Sequence, residues 1–181
     1  MVQGQGTTSL ALSRKQEVSS VKRVLFVCTG NVCRSPMAAG LLRHKLVQDG
    51  LDQEVDVTSA GVYALDDQAA SQPGVAVLGW RGIDIRGHRA HTIGAADVTQ
   101  ADLVLVMEEA HRRALFYSYP HLLGKIFLLS EMSGDYREVR DPYRRPMEEY
   151  ERCANELDEL IDSGYDTILR RLKVARPPRP E

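Results

Sequence analysis

Long apolar runs are missing from this chain: none approaches the roughly 20 residues needed to span a bilayer, so no membrane partner is expected. Before residue 20 the only apolar cluster is Leu10-Ala11-Leu12, and the charges follow it rather than precede it, the wrong order for a secretion signal. Cysteine is scarce too. Cys28, Cys33 and Cys153 are odd in number and lack framework spacing, which excludes a secreted disulfide scaffold and points to the cytoplasm. Neither sign of charge is in excess. With 23 Lys and Arg against 25 Asp and Glu, the net charge is −2, so a general nucleic-acid binder is excluded and any affinity for anions has to be local. His-x3-His, Cys-x2-Cys and clustered acidic loops are absent, and the expectation is of no metal and no other cofactor.

What is present suits one globular domain: 181 residues, 43% hydrophobic and 27% charged. Residues 1–20, rich in Gly, Gln, Ser and Thr, are expected to be a disordered tail. Residues 21–174 then form the domain, and the Pro-rich residues 175–181 a frayed end.

The domain is organised around residues 24–36. Val24-Leu25-Phe26-Val27 suits a buried strand, the residues after it are small and polar, and Pro36 opens Met37-Ala38-Ala39-Gly40-Leu41-Leu42, which reads as a helix. A short loop feeding a helix N-terminus gathers backbone N–H groups into a concavity, and the helix dipole adds partial positive charge. A phosphate-sized dianion fits there. Gly30 is expected to make the close turn. Arg34 brings a planar fork that can hold two equatorial oxygens at once. Cys28 sets its sulfur among the donors, a field that favours the thiolate nucleophile, and Ser35 can donate a hydroxyl to that sulfur as it leaves. A lone cysteine ending a buried strand is usually a small hydrophobe; Cys, Gly, Asn, Arg, Ser and Pro in this order point to chemistry.

Further strands are expected at Glu54–Thr58, Leu103–Met107 and Lys125–Leu129, after a first over Val21–Val27. Helices are expected over Pro36–Gln48, Gln72–Gly79, from Thr92 into Ala101-Asp102, over Glu108–Tyr117, and from Pro146 to about Lys173, with or without a break at Ser163-Gly164. Strands separated by helices, with no hairpin signal, predict an α/β fold. It is a single domain with a four-stranded parallel sheet, helices on both faces and the phosphate-binding loop after the first strand. The first βαβ unit brings Ser59 toward the loop of Cys28. Trp80 reads as packing and Cys153 as core. Ser130–Arg145 is a long polar connection, of a length usually functional in a compact domain. Loop acids open to general-acid work are Asp66, Asp67, Asp135 and Asp141.

The stretch Val27-Cys28-Thr29-Gly30-Asn31-Val32-Cys33-Arg34-Ser35-Pro36 resembles the signature of the low-molecular-weight protein tyrosine phosphatases. Thr58-Ser59-Ala60-Gly61, Ala101-Asp102-Leu103-Val104-Leu105-Val106-Met107 and Asp141-Pro142-Tyr143 follow in the family's order and at similar spacing, so the likeness covers roughly residues 22 to 173. The resemblance implies hydrolysis of phosphotyrosine in proteins through a cysteinyl-phosphate intermediate, without cofactor, at a site that also accepts phosphate or sulfate. It implies Cys28 as nucleophile, Arg34 as oxyanion clamp and Asp141, among the four aspartates, as general acid. Thr29, Gly30, Asn31, Val32, Cys33 and Ser35 would cradle the phosphoryl group, and Tyr143 would pack on the substrate ring. Ser59 and His88 would hold the loop through Asn31. Tyr63 and Leu65 stand at the family's variable rim, with Leu65 where many relatives carry a bulky aromatic. By the same resemblance Cys33 forms a reversible disulfide with Cys28; as a residue alone it is a small loop side chain.

The rival inside the fold is a protein-arginine phosphatase, which Thr29, Ser59-Ala60-Gly61-Val62-Tyr63 and the final helix also resemble. Those enzymes carry Thr where this chain has Val32, and the missing hydroxyl favours phosphotyrosine. An arsenate reductase needs a relay of further cysteines, and none lies between Arg34 and Cys153. A silent phosphate-binding module would have lost Cys28, Arg34 or Asp141. Arg144-Arg145 stand where the family often has a second tyrosine or glycines; these cations either recruit acidic flanks of a phosphosite or are solvated.

Overall fold

The computed structural model describes residues 20–176; residues 1–19 and 177–181, most of both expected tails, lie outside the described residues. Strands β1 (Lys22–Cys28), β2 (Val55–Gly61), β3 (Leu103–Val106) and β4 (Ile126–Leu128) form one sheet in the order β2-β1-β3-β4, every pair parallel. Parallel neighbours need crossovers, and helices supply them. These are α1 (Arg34–Gln48), α2 (Gln72–Gly79), α3 (Ala95–Gln100), α4 (Glu109–Ser118) and α5 (Met147–Leu172). The fold is the expected four-stranded α/β domain.

Alternation along the strands divides the core in two. Val24, Phe26 and Cys28 of β1, with Leu103 and Leu105 of β3, face α1 and α5, while Leu25 and Val27, with Val104 and Val106, face Val98 of α3 and Leu115 of α4. Both faces of β1 are covered, which explains its unbroken apolar run. Its end is the place where the order turns from β2 on one side to β3 on the other, a crevice at the carboxyl ends of parallel strands.

Helix α5 runs unbroken through Ser163-Gly164. A Cβ at Gly164 would come 2.7 Å from Met132 Cβ and 3.0 Å from its carbonyl carbon, so this glycine admits the 3-10 segment Leu129–Ser133 rather than ending the helix. Acidic Glu148 and Glu149 in the first turn and basic Arg170 and Arg171 in the last suit the helix dipole. Cys153 is buried on its inner face.

Three expectations shift. Helix α3 starts at Ala95 instead of Thr92, because the Thr92 N–H and hydroxyl are given to Asp66 Oδ1 and the Ala64 carbonyl, and Gly94 N–H is capped by Asp97 Oδ2 at 2.8 Å. Trp80, expected to pack, is 66% exposed just past the C-terminus of α2. The connection after β4 is not wholly polar: Ser130, Met132 and Val139 are buried within it. At the C-terminal end Arg176, just inside the expected frayed segment, pairs with Asp166 at 2.8 Å and Asp49 at 3.5 Å.

Candidate active site

Five carbonyls of the loop after β1 are tied outward to the scaffold. Cys28 O accepts from Val62 N–H, Thr29 O from Tyr63 N–H, Asn31 O from His88 Nε2, Val32 O from Ser71 N–H, and Cys33 O from Met37 N–H in α1. In a trans peptide the N–H opposes the carbonyl, and no peptide among the described residues is cis. The amides of Thr29, Gly30, Val32, Cys33 and Arg34 therefore turn inward, at the N-terminus of α1. Asn31 N–H joins them, 3.3 Å from Cys28 Sγ. This is an anion nest with a sulfur at its centre.

The left-handed turn that closes the nest falls on Asn31, at φ 55°, and not on Gly30. A Cβ at Gly30 would meet no atom nearer than 3.8 Å. Asparagine tolerates that conformation when its amide is bonded locally, and Asn31 is fully buried with every polar group used. Its Nδ2 donates to Ser35 Oγ and Ser59 Oγ, both at 2.9 Å, and its Oδ1 accepts from His91 N–H at 3.1 Å. His88 Nε2 stands 2.7 Å from its carbonyl oxygen and donates to it; burial pushes the His88 pKa down, with Arg43, His91 and Arg89 adding to the shift. Gly61 matters by proximity: a Cβ there would sit 2.7 Å from Thr29 O and 3.0 Å from Asn31 N. Only glycine lets β2 back the loop so closely.

Ser35 Oγ accepts from Asn31 Nδ2 and lies 3.0 Å from Cys28 Sγ and 3.5 Å from the Ala60 carbonyl, so the sulfur is the nearer acceptor for its one proton. Cys28, Cys33 and Cys153 are all free thiols. Cys33 Sγ is 3.6 Å from the Tyr150 hydroxyl, and burial pushes its pKa up.

Arg34 is 1% exposed. Its Nη1 donates to Glu108 Oε1 and to the Val139 carbonyl at 2.9 Å; Nη2 donates to Asp141 Oδ2 at 2.8 Å and to Thr29 Oγ1 at 3.3 Å. Burial opposes its charge, and Asp141, Cys28 and Glu108 outweigh that, so its pKa is raised. The guanidinium stays charged. Its Nε is buried without a partner in the protein, an orphan donor that an oxyanion on the nest would satisfy.

Asp141 arrives from the connection after β4. Val139 N–H donates to Met107 O at 2.9 Å, and Ser130 Oγ donates to Arg137 O at 2.7 Å, which hold the loop against the end of β3. Asp141 Oδ1 accepts from Tyr143 N–H at 3.1 Å, and Arg144 stacks 5.2 Å from the Tyr143 ring centre. A cavity of about 220 Å³ results. Cys28, Thr29, Gly30, Val32, Cys33 and Arg34 form its floor and wall, Tyr63, Leu65 and Gln68 one rim, and Asp141 and Tyr143 the other. Asn31 and Ser35 lie behind that surface, as do Ser59 and His88 around Asn31. Among the described residues no three His, Cys, Asp or Glu side chains are grouped to hold a metal ion, and no helix is long and apolar enough to cross a membrane.

Sequence reasoning missed Gln68, Glu108, Val139 and His111. Glu108 and His111 follow β3 at the carboxyl edge of the sheet, the one signal that marks them. His111 is 2% exposed; its Nδ1 accepts from Glu108 N–H at 3.2 Å and its Nε2 faces Thr29 Oγ1 at 2.9 Å. Burial and the Arg34 cation push its pKa down to about 4.

Comparison with known proteins matches residues 23–173 to the family described as low molecular weight phosphotyrosine protein phosphatase. A probable low molecular weight protein-tyrosine-phosphatase, EpsP, of Ralstonia nicotianae is 38% identical over 153 residues, which span 84% of this chain and 97% of that protein. A protein-arginine-phosphatase of Geobacillus stearothermophilus is 38% identical over 141 residues, 77% of this chain and 91% of that one. The crystal structure of a low molecular weight protein tyrosine phosphatase from T. tengcongensis superposes with a TM-score of 0.76 at 44% identity, covering 81% of this chain and 99% of the other.

Proposed function

Because the chain belongs to the low molecular weight phosphotyrosine protein phosphatase family, we propose that it hydrolyses phosphotyrosine in proteins with Cys28 as nucleophile, Arg34 as oxyanion clamp and Asp141 as general acid and base. One observation carries this reading: residues 113 positions apart in sequence, Cys28 and Asp141, line a single cavity whose floor is a nest of amide donors. Cys28 Sγ attacks phosphorus in line while the tyrosyl oxygen leaves with the proton of Asp141. Phosphorus is then bonded to sulfur. Asp141 next takes a proton from water, the water oxygen attacks phosphorus, and the sulfur leaves as thiolate, accepting a hydrogen bond from Ser35. The loop amides and Arg34 hold the equatorial oxygens throughout, a preorganised electrostatic contribution.

Val32 and Tyr143 favour phosphotyrosine over phosphoarginine. Val32 presents methyl groups where the arginine phosphatases carry a threonine hydroxyl, and Tyr143, half exposed at the rim, offers a ring face to a phenyl group. The relatives named protein-arginine-phosphatase keep that second reading alive. The substrate is a phosphorylated protein, and the setting we assign is the cytoplasm. Rapid-quench kinetics on a phosphotyrosine peptide tests the mechanism: a burst of tyrosine peptide equal to the enzyme concentration, with phosphate on Cys28, is expected. Turnover retained by Cys28→Ser would refute it.

A further inference from the structure

His111 carries no role in the chemistry above, yet it is buried beside Arg34 and touches the wall of the cavity. Its hydrogen bonds fix its tautomer. The Glu108 N–H donates to Nδ1 at 3.2 Å, so Nδ1 holds no proton and Nε2 does. Nε2–H then donates to Thr29 Oγ1 at 2.9 Å, and Arg34 Nη2 donates to the same oxygen at 3.3 Å. Glu108 Oε2, at 4.0 Å, is too far from Nε2 to compete. A threonine hydroxyl has two acceptor sites and one proton. With both acceptor sites filled, all that Thr29 has left to offer is its O–H, and Thr29 lines the cavity next to Cys28.

We propose that His111 is a positioning residue that locks the Thr29 hydroxyl as a donor to the phosphoryl oxygens, through the contact of His111 Nε2–H with Thr29 Oγ1. The idea rests on the phosphatase reading of the same cavity. It requires neutral His111, since a second ring proton would face the Glu108 N–H. The charged groups around the ring are Arg34 of α1, Glu108 at its own helix, and Glu138 and Asp141 of the loop after β4. Arg34 and burial together keep the ring neutral. A ring turned away from Thr29, as the clash of a second proton on Nδ1 with the Glu108 N–H would turn it, frees an acceptor site on Thr29 and lets its proton turn away from the phosphate.

A double-mutant cycle tests this. His111→Asn keeps an acceptor for the Glu108 N–H but falls short of Thr29, and Thr29→Val keeps the shape without the hydroxyl. With a phosphotyrosine peptide each single variant is expected to lose about 10-fold to 100-fold in kcat, with KM within about threefold. The double variant should be no more than about twofold worse than the poorer single. Losses that multiply in the double variant would overturn the proposal, as would an undiminished kcat in His111→Asn. If His111→Asn does not fold, His111→Gln, which retains an N–H of similar reach, carries the cycle. That variant is expected to keep kcat within about threefold of wild type; a loss of tenfold or more to which Thr29→Val still adds its full factor refutes the coupling. An inactive wild-type protein would be a different failure, that of the phosphatase reading itself.

Discussion

Asp141 is tied to Arg34 before any substrate arrives, with Oδ2 2.8 Å from Nη2. In the proposed mechanism a phosphoryl oxygen takes over this hydrogen bond, because Nη2 and the orphan Nε are the two donors of one guanidinium edge. Asp141→Asn removes the proposed proton donor and weakens that internal tie. For a phosphotyrosine peptide kcat is expected to fall about 10²-fold to 10⁴-fold. For an aryl phosphate with a highly acidic leaving group the fall should be at least tenfold smaller, since that oxygen departs without a proton. Vanadate should bind the variant at least as tightly as wild type, by steady-state inhibition. Equal losses on both substrates would remove Asp141 from the acid role. At this scale the sequence was informative where residues are local. Cys28, Arg34 and Ser35 lie within eight residues, and their spacing alone suggested the nest. Asp141 was one of four equivalent loop aspartates until family resemblance selected it. Glu108, His111 and Val139 reach the site from more than 70 residues beyond Arg34, so no local pattern could mark them.

Two elements deliver the distant residues. Helix α4 begins where His111 Nδ1 receives the Glu108 N–H, so the ring caps the helix as well as touching Thr29. Its pKa falls from an ordinary 6.5 to about 4 in the folded protein. Between these values the unfolded chain binds the proton and the folded one does not, so stability rises with pH across that window and is lost on acidification through it. The loss reaches roughly 2–3 kcal/mol by pH 4. Urea midpoints measured from pH 7 to 4 should therefore decline more steeply for wild type than for His111→Asn; parallel curves would contradict the assignment. Helix α5 delivers the acid loop by a different device. Gly164 lets Leu129–Ser133 lie against it, and Ser130 holds Arg137 on the way to Asp141. In an open helix Gly→Ala is favourable by about 1 kcal/mol. Here the methyl would strike Met132, so Gly164→Ala is expected to cost about 1–3 kcal/mol in urea unfolding, with a reduced kcat. Stabilisation would mean that the contact is slack. From sequence alone Gly164 read equally as a helix break, because a glycine that makes room and one that ends a helix look alike until the neighbour is known.

Across the whole molecule, the sheet order gathers the chemistry at one edge. The strand ends place the nest after β1, the loop-supporting Ser59 on β2, and Glu108 and His111 after β3, while the connection after β4 returns Asp141 to the same crevice. The parallel pairing and the covered faces followed from continuous apolar runs interleaved with amphipathic segments, which is why the fold class was legible, whereas the order β2-β1-β3-β4 had no local signal. The exposure of Trp80 was not, since an isolated aromatic beyond a helix end carries no periodicity to say which way it faces. Specificity is also a property of the assembled cavity, in which Val32 from the nest meets Tyr143 from the acid loop and Tyr63 from the rim. The most direct test is kcat/KM for a phosphotyrosine peptide and for the matching phosphoarginine peptide, on wild type and Val32→Thr, with Cys28→Ser as the blank. The phosphotyrosine peptide should be the better substrate of wild type, and Val32→Thr should move the ratio toward phosphoarginine by about tenfold. A wild-type preference for phosphoarginine, with a ratio indifferent to residue 32, would contradict the assignment.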